Sequence, residues 1–467
     1  MILVAIEMVF RAKAKYVHVA ADKCSSVLIP GMLKVLERCE SGNMKHADVS
    51  ILNITKTLHY ISRIPELRMS LARYPGMLDS LRRVATSILS PESRITRVRV
   101  IANLTNCDEN KELLLEHAGL LDSILRIAHL DLSESAREYA GMALMDLASE
   151  SVNQIPMAKN EKLLGTLVKM VLVEKMASTR ESAITALQNL AFSKENRQRL
   201  VGFKSGIVLE ALKKALSGDK NDKARRRAAG ALTNLACEET AEVIGGHKSL
   251  LDTLAIVSTK DVNTEVQTRA SMALTKLAAS ISIDMECFEP LLDALVVASL
   301  SRSANSISAV LRVKAREPEN REAMANHPGI LDTLADICVD LGTDVKDKDN
   351  AIRAIMHLTN EKSNRTTMCT VPILDALVKG AMTELPKKED STELEDPAYA
   401  EIQVSAIRSL ERLATEVPNR SKMAKHNGLL VAVAHATERE AKLMAAGKKS
   451  DHPYLAKPLL MSLLISM

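Results

Sequence analysis

Tryptophan is absent from this 467-residue chain, and aromatics of all kinds make up 2% of it, as six Tyr and four Phe. A β-sandwich or barrel normally carries more aromatic and β-branched bulk. Single-stranded nucleic acid is held on ring platforms, so the same scarcity argues against a nucleic-acid partner. Charge of one sign is lacking too: the net charge is +4, a weak bias for a surface this large. The seven Cys (24, 39, 107, 237, 287, 338 and 369) form no C-x-x-C pair. They read as reduced, mostly buried small hydrophobes of a cytoplasmic or nuclear protein.

Motif chemistry is missing as well. There is no G-x-x-x-x-G-K-[ST] or G-x-G-x-x-G to cradle a nucleotide, no H-E-x-x-H or other metal-ligand spacing, and no G-x-S-x-G elbow. The expectation is a non-enzyme with no cofactor and no metal. Four N-x-[ST] sequons, at Asn53, Asn103, Asn364 and Asn419, fall in predicted helices or their ends and read as chance matches. The run KARRR at 223–227 could serve as a nuclear localisation signal, but it leads into a helix and reads better as a solvated or groove-facing helix edge. The opening MILVAIEMVF has no basic flank and no A-x-A site, so it reads as a core helix, not a signal peptide. The closing PLLMSLLISM is too short to span a bilayer, and no membrane insertion is expected. Apolar ends differ from the polar caps of repeat arrays. They read either as cuts from a longer protein or as ends that dock on something.

What the chain does have is Ala, Leu, Met, Lys, Arg and Glu, the residues of helices. It is too long for one compact core, which leaves several domains or an elongated array. A repeat decides between them. Aligning RESAITALQNLAF on Asn189 gives equivalent anchors at Tyr60, Asn103, Asp146, Asn189, Asn234, Lys276, Val313, His357 and Arg412. Their successive spacings are 43, 43, 43, 45, 42, 37, 44 and 55 residues. A period in the low forties predicts a helical solenoid.

Each unit has three parts. An Ala-rich run ends near the anchor. A short polar-started helix follows, as in KENRQRLV, DENKELLLEHA, EPENREAMANH and EVPNRSKMAKH. A turn, usually with Gly, then opens a third stretch such as AGLLDSILRIA, PGMLDSLRRVA or PGILDTLADIC. These ALxNLA-type and Gly-Leu-Leu-Asp-type runs resemble the armadillo repeat family over roughly residues 16–440. The resemblance implies an all-α, right-handed α-α superhelix, here one solenoid over 1–467 with nine to ten repeats of about 43 residues. The repeat is degenerate near 277–313. An acidic insertion at 384–397, with six acidic and two basic residues, reads as a flexible loop between two helices of one repeat and as an internal competitor for the binding surface.

In that family the ALxNLA helices line a concave groove. Asn at the anchor is costly in a helix but offers both a donor and an acceptor. The family pattern implies that Asn103, Asn189 and Asn234 hold the backbone of an extended peptide; the rival reading is a capping or inter-loop hydrogen bond. Import adaptors of the family place Trp one turn before the anchor, and here there is none. At the nine anchors and the nine positions one turn earlier, six residues are Lys or Arg and one is Asp, a net +5. Similar catenin-type grooves take acidic segments. The candidate partner-binding residues are therefore Arg99, Asn103, Asn189, Asn234, Lys276, Arg353, His357, Arg408 and Arg412. The expected function is a scaffold or adaptor for an extended, acidic protein segment. The alternatives are an import-receptor-like adaptor and an armadillo-like co-chaperone that exchanges nucleotide on a partner.

Overall fold

The computed structural model describes residues 28–40, 47–85, 90–282, 288–299, 307–383 and 397–445. The two apolar chain ends and residues 384–396 of the acidic insertion lie outside these residues, as do parts of the degenerate stretch. Among the described residues there are 27 α-helices, two 3-10 turns and no strand.

Three helices recur. One repeat consists of a short helix Ser151–Lys159, a second helix Glu161–Val173 and a long ladder helix Ala177–Leu190; the next is Lys194–Gly202, Ile207–Gly218 and Asp222–Leu235. Side-chain caps start several ladder helices. Ser133 accepts from the Ala136 N–H, Asn263 from Glu265 and Val266, and Asp344 from Lys346, each satisfying an orphan donor of the first turn. Five second helices start from a left-handed Gly: Gly76, Gly119, Gly206, Gly329 and Gly428 have φ of 77°, 76°, 89°, 91° and 84°. A Cβ is strained there, which is why Gly marks this turn.

The chain divides into two compact units, Met1–Leu235 and Ala236–Met467. In the first, the ladder helices Ala47–Ser62, Pro91–Thr105, Glu134–Ser149, Ala177–Leu190 and Asp222–Leu235 pack each on the next. In the second, Thr264–Ser280 packs on Ile307–Arg316, which packs on Val345–Leu358, which packs on Pro397–Thr415. Fully buried Ala140, Ala143, Ala183, Ala186, Ala228 and Ala231 let the ladder helices of the first unit approach closely. In the second unit a Cβ on Gly380 would lie 2.9 Å from Ile352 Cδ1 and 3.2 Å from Ala406 Cβ, so even Ala there would require Ile352 to shift. After Thr264–Ser280 no short helix occurs among the described residues, and the next described helix is the second helix Phe288–Ser299.

A second asparagine series runs through the repeats, seven residues after the anchor. Asn110, Asn153, Asn196, Asn320, Asn364 and Asn419 are all buried. The Asn196 amide donates to Leu190 O and, one repeat back, to Gln154 O, both at 3.0 Å. Asn153 bonds Leu147 O (3.1 Å) and Lys111 O (3.0 Å); Asn419 bonds Leu413 O (2.9 Å) and Arg365 O (3.0 Å). Asn110 and Asn364 do the same with Leu104 and Arg68, and with Leu358 and Arg321. Each of these five amides thus satisfies a carbonyl left orphaned at the end of the ladder helix before it and ties its short helix to the repeat before, whereas Asn320 bonds Lys314 O at 3.1 Å and the Glu317 carboxylate. The next residue is often Arg, and it caps the same end: Arg197, Arg321, Arg365 and Arg420 donate Nε–H to Ala191 O, Ala315 O, Thr359 O and Ala414 O at 2.8–3.3 Å. A cation there also suits the helix dipole.

Candidate functional site

The candidate site is the face of the ladder helices that carries the anchors. In the first unit the anchors reach back one repeat. Asn189 Nδ2 lies 3.4 Å from Met145 O, and Asn234 Nδ2 lies 3.4 Å from Gln188 O. The acceptor is in both cases the carbonyl one residue before the preceding anchor. Asn103 differs because its Nδ2 donates to Ser62 Oγ at 2.9 Å, with His59 Nδ1 at 3.4 Å. All three side chains are half-buried, and among the described residues none of their Oδ1 atoms accepts a hydrogen bond. Each anchor amide is therefore steadied by its neighbour and keeps an acceptor to offer, and Asn189 and Asn234 also keep a second N–H.

Asp146 breaks the series with a carboxylate. It is half-buried and accepts from Thr105 Oγ1 at 3.2 Å. Burial pushes its pKa up to about 6, against the opposing pull of that hydrogen bond and of Lys111. Arg99, one turn before Asn103, lays its guanidinium over the Tyr139 ring, 4.9 Å from the centroid, so one of the few aromatics stands on this face.

The second unit gathers the basic anchors. Arg353 and His357 lie on Val345–Leu358, and Arg408 and Arg412 on the adjacent Pro397–Thr415. Arg412 Nη1 donates to Met356 O at 2.9 Å, the same step back to the residue before the preceding anchor that Asn189 and Asn234 make. The long Arg stem does at this place what an Asn does elsewhere, and the bond sets its guanidinium beside His357. Burial lowers the His357 pKa, and Arg321, Arg316, Arg312 and Arg412 lower it further. Arg353 is less available than its position alone implies. Its Nε pairs with Asp349 at 2.8 Å, and Nη2 with Glu401 of the next ladder helix at 3.4 Å. Lys276 is exposed on Thr264–Ser280, the first ladder helix of the second unit.

No family model matches this sequence, and no curated protein does either. Solved structures do match. An engineered protein from a structural-genomics programme aligns over 94% of this chain and 98% of its own, with a TM-score of 0.54 and 19% identity. A designed armadillo repeat protein in complex with the peptide (KR)4 aligns over 53% of this chain and 98% of its own, at TM-score 0.45 and 23% identity. Computationally designed armadillo repeat proteins for modular peptide recognition align over 52% of this chain and 99% of theirs, at TM-score 0.45 and 23% identity.

The repeat is of the armadillo type. Short helix, second helix and ladder helix recur at the spacing of the anchors. Within the armadillo frame the two asparagine series divide: the series at the anchors is half-exposed on the ladder face, and the series seven residues later is buried between repeats. The alignment on Asn189 contained both, since Asn also recurs in KENRQRL, DENKELL, EPENREA and EVPNRSK. Six of the nine repeats carry the buried series, against three for the anchor series. That greater regularity was the signal of a structural role.

Among the described residues no group of three or more His, Cys, Asp or Glu could hold a metal ion, and no helix is long and apolar enough to cross a membrane. Cys39, Cys107, Cys237, Cys338 and Cys369 are free thiols, the first and last two buried, and burial pushes the Cys338 pKa to about 12.

Proposed function

We propose that this chain is a non-enzymatic protein-interaction scaffold that holds an extended, acidic protein segment along the ladder-helix face. The anchor amides of Asn103, Asn189 and Asn234 pair with the segment's backbone, and Arg99, Lys276, His357, Arg408 and Arg412 select its charge. Arg353 contributes as the partner of Asp349 and Glu401 and exchanges one of them when ligand arrives.

One observation carries this reading: the charge balance around Arg412. Its charged neighbours are Arg408, Arg365 and Arg321, with Glu411 the one acid among those that weigh on it. Cations crowded on a partly desolvated wall repel one another, and an incoming carboxylate relieves that repulsion while pairing with a guanidinium fork.

The test uses a fluorescently labelled 15-residue peptide library rich in Asp and Glu, with a Lys/Arg-rich library as control. The intact chain should bind the acidic library, more weakly as salt rises to physiological strength. Arg408→Glu with Arg412→Glu should weaken binding at least about tenfold with unchanged far-ultraviolet circular dichroism. Equal binding by the double variant, or preference for the basic library, would refute the reading.

A further inference from the structure

Four arginines outside the aligned anchor positions lie in the repeats around the same site. Ladder helix Ile307–Arg316 carries Arg312 just before the Val313 anchor and Arg316 three residues after it. Arg321 comes from the following short helix, and its guanidinium is fixed by two carbonyls at the ladder-helix end, Ala315 O at 3.2 Å and Arg316 O at 2.8 Å. From the next repeat, Arg365 is fixed in the same way by Thr359 O at 3.0 Å and reaches forward to Thr415 Oγ1, also at 3.0 Å. Arg412 is fixed on Met356 O.

Four nearby acids are already engaged, while Glu411 weighs on Arg412. Glu317 receives Asn320 at 2.5 Å and lies 3.6 Å from Lys314; Glu416 lies 3.6 Å from Arg365; Asp349 and Glu401 hold Arg353. Among the described residues Arg312, Arg316 and Arg408 make no ion pair. Every charged group that weighs on His357 is an arginine. His357 is half-buried on Val345–Leu358, Arg412 is fixed on the carbonyl of the residue before it, and the ladder helix that carries Arg312 and Arg316 packs against the same helix.

We infer that this basin around His357 takes a phosphoryl group, presented as a phosphorylated Ser, Thr or Tyr side chain of the bound segment. The inference rests on the scaffold reading above and names the side chain that the second unit selects. A carboxylate brings one charge and two oxygens, enough for one guanidinium fork. A phosphate monoester brings a charge of about −1.5 to −2 and three strong acceptor oxygens, which suits several arginines converging from adjacent repeats. Arg321 and Arg412 are held in place before binding, so ordering them costs little. Arg312, Arg316 and Arg408 can swing in from the rim.

The experiment compares three acidic 15-residue libraries with random flanks and a fixed central Ser, Glu or phosphoserine, titrated against the full chain. The phosphoserine library should bind about tenfold more tightly than the Ser library, and more tightly than the Glu library. Arg312→Gln with Arg316→Gln should bring the three affinities within about twofold of one another while leaving the Ser library unchanged. Lys at both positions should restore part of the preference, because charge returns without the planar fork. Three equal affinities for the unaltered chain would overturn the phosphoryl inference and leave the scaffold reading standing. Binding of no library would sink both. A phosphoserine preference that survives the Gln pair would also overturn the inference, since it would place the selectivity elsewhere.

Discussion

Asn196 and Gln154 lie 42 residues apart, one repeat after another, and the side-chain amide of the first donates to the backbone carbonyl of the second at 3.0 Å. The same amide closes the end of the preceding ladder helix on Leu190 O, also at 3.0 Å. One buried side chain thus couples the stability of two repeats. Replacing Asn196 with Ala leaves two buried carbonyls short of a donor, a loss of about 2–4 kcal/mol. Asn364→Ala should act similarly in the second unit. Urea unfolding followed by circular dichroism checks both, and a loss below about 0.5 kcal/mol would show that water replaces the amide without penalty.

Asn189→Ala and Asn234→Ala should behave in the opposite way. Their inter-repeat bonds are long, at 3.4 Å, and the side chains are half-exposed. Better helix propensity offsets much of the lost bond, so stability should change by less than about 1 kcal/mol. Affinity for the acidic peptide library should fall several-fold. A collapse of the melting temperature would mean that the anchor amides are structural, as the buried series is.

Asp146 gives a pH signature. Its pKa rises from 3.8 to about 6 on folding. Between those two values the folded chain binds the proton and the unfolded chain has released it. Stability from this group is therefore full below about pH 4 and is lost as pH rises through 6. Asp146→Asn removes that loss and restores the amide found at the neighbouring anchors Asn103 and Asn189. The variant should be more stable than the parent at pH 7.5, by about 3 kcal/mol, with the difference shrinking toward pH 4. A constant difference across that range would exclude Asp146 as its source.

Glu40 and Arg97 form a buried ion pair near the start of the first unit, with the half-exposed Arg83 as a third member. The Arg97 side chain is 1% exposed and pairs with Glu40, whose side chain is 8% exposed, while Arg83 Nε donates to the same carboxylate at 2.6 Å. Arg97 also donates to Ser80 O at 3.3 Å. Glu40→Gln would leave a buried guanidinium without a counter-charge, at a cost of about 3–5 kcal/mol. Thermal unfolding should show it, and Arg97→Met together with Glu40→Leu should recover most of the loss. Failure of the double change to recover would place the defect in packing instead of charge.

The sequence by itself determined the repeat, its three helices and the positions of its turns. These follow from local physics: apolar spacing selects the helix, and a left-handed φ selects Gly at 76, 119, 206, 329 and 428. It also gathered the basic anchors, because a fixed period puts equivalent residues on one face. What each polar side chain does there was decided only by the packing of neighbouring repeats. Arg353 counts as a free cation in an alignment and proves to be held by Asp349 and Glu401. Arg312, Arg316 and Arg321 fall outside the aligned positions, on a neighbouring ladder helix and a short helix, and their charges lower the His357 pKa. Asn189 and Asn196 stand seven residues apart across one repeat boundary, yet only the second is sealed between repeats. Hydrogen bonds and ion pairs between residues about forty positions apart depend on how one helix is rotated against the next. A periodic pattern fixes which residues are equivalent, and the tertiary contact fixes which of them meet.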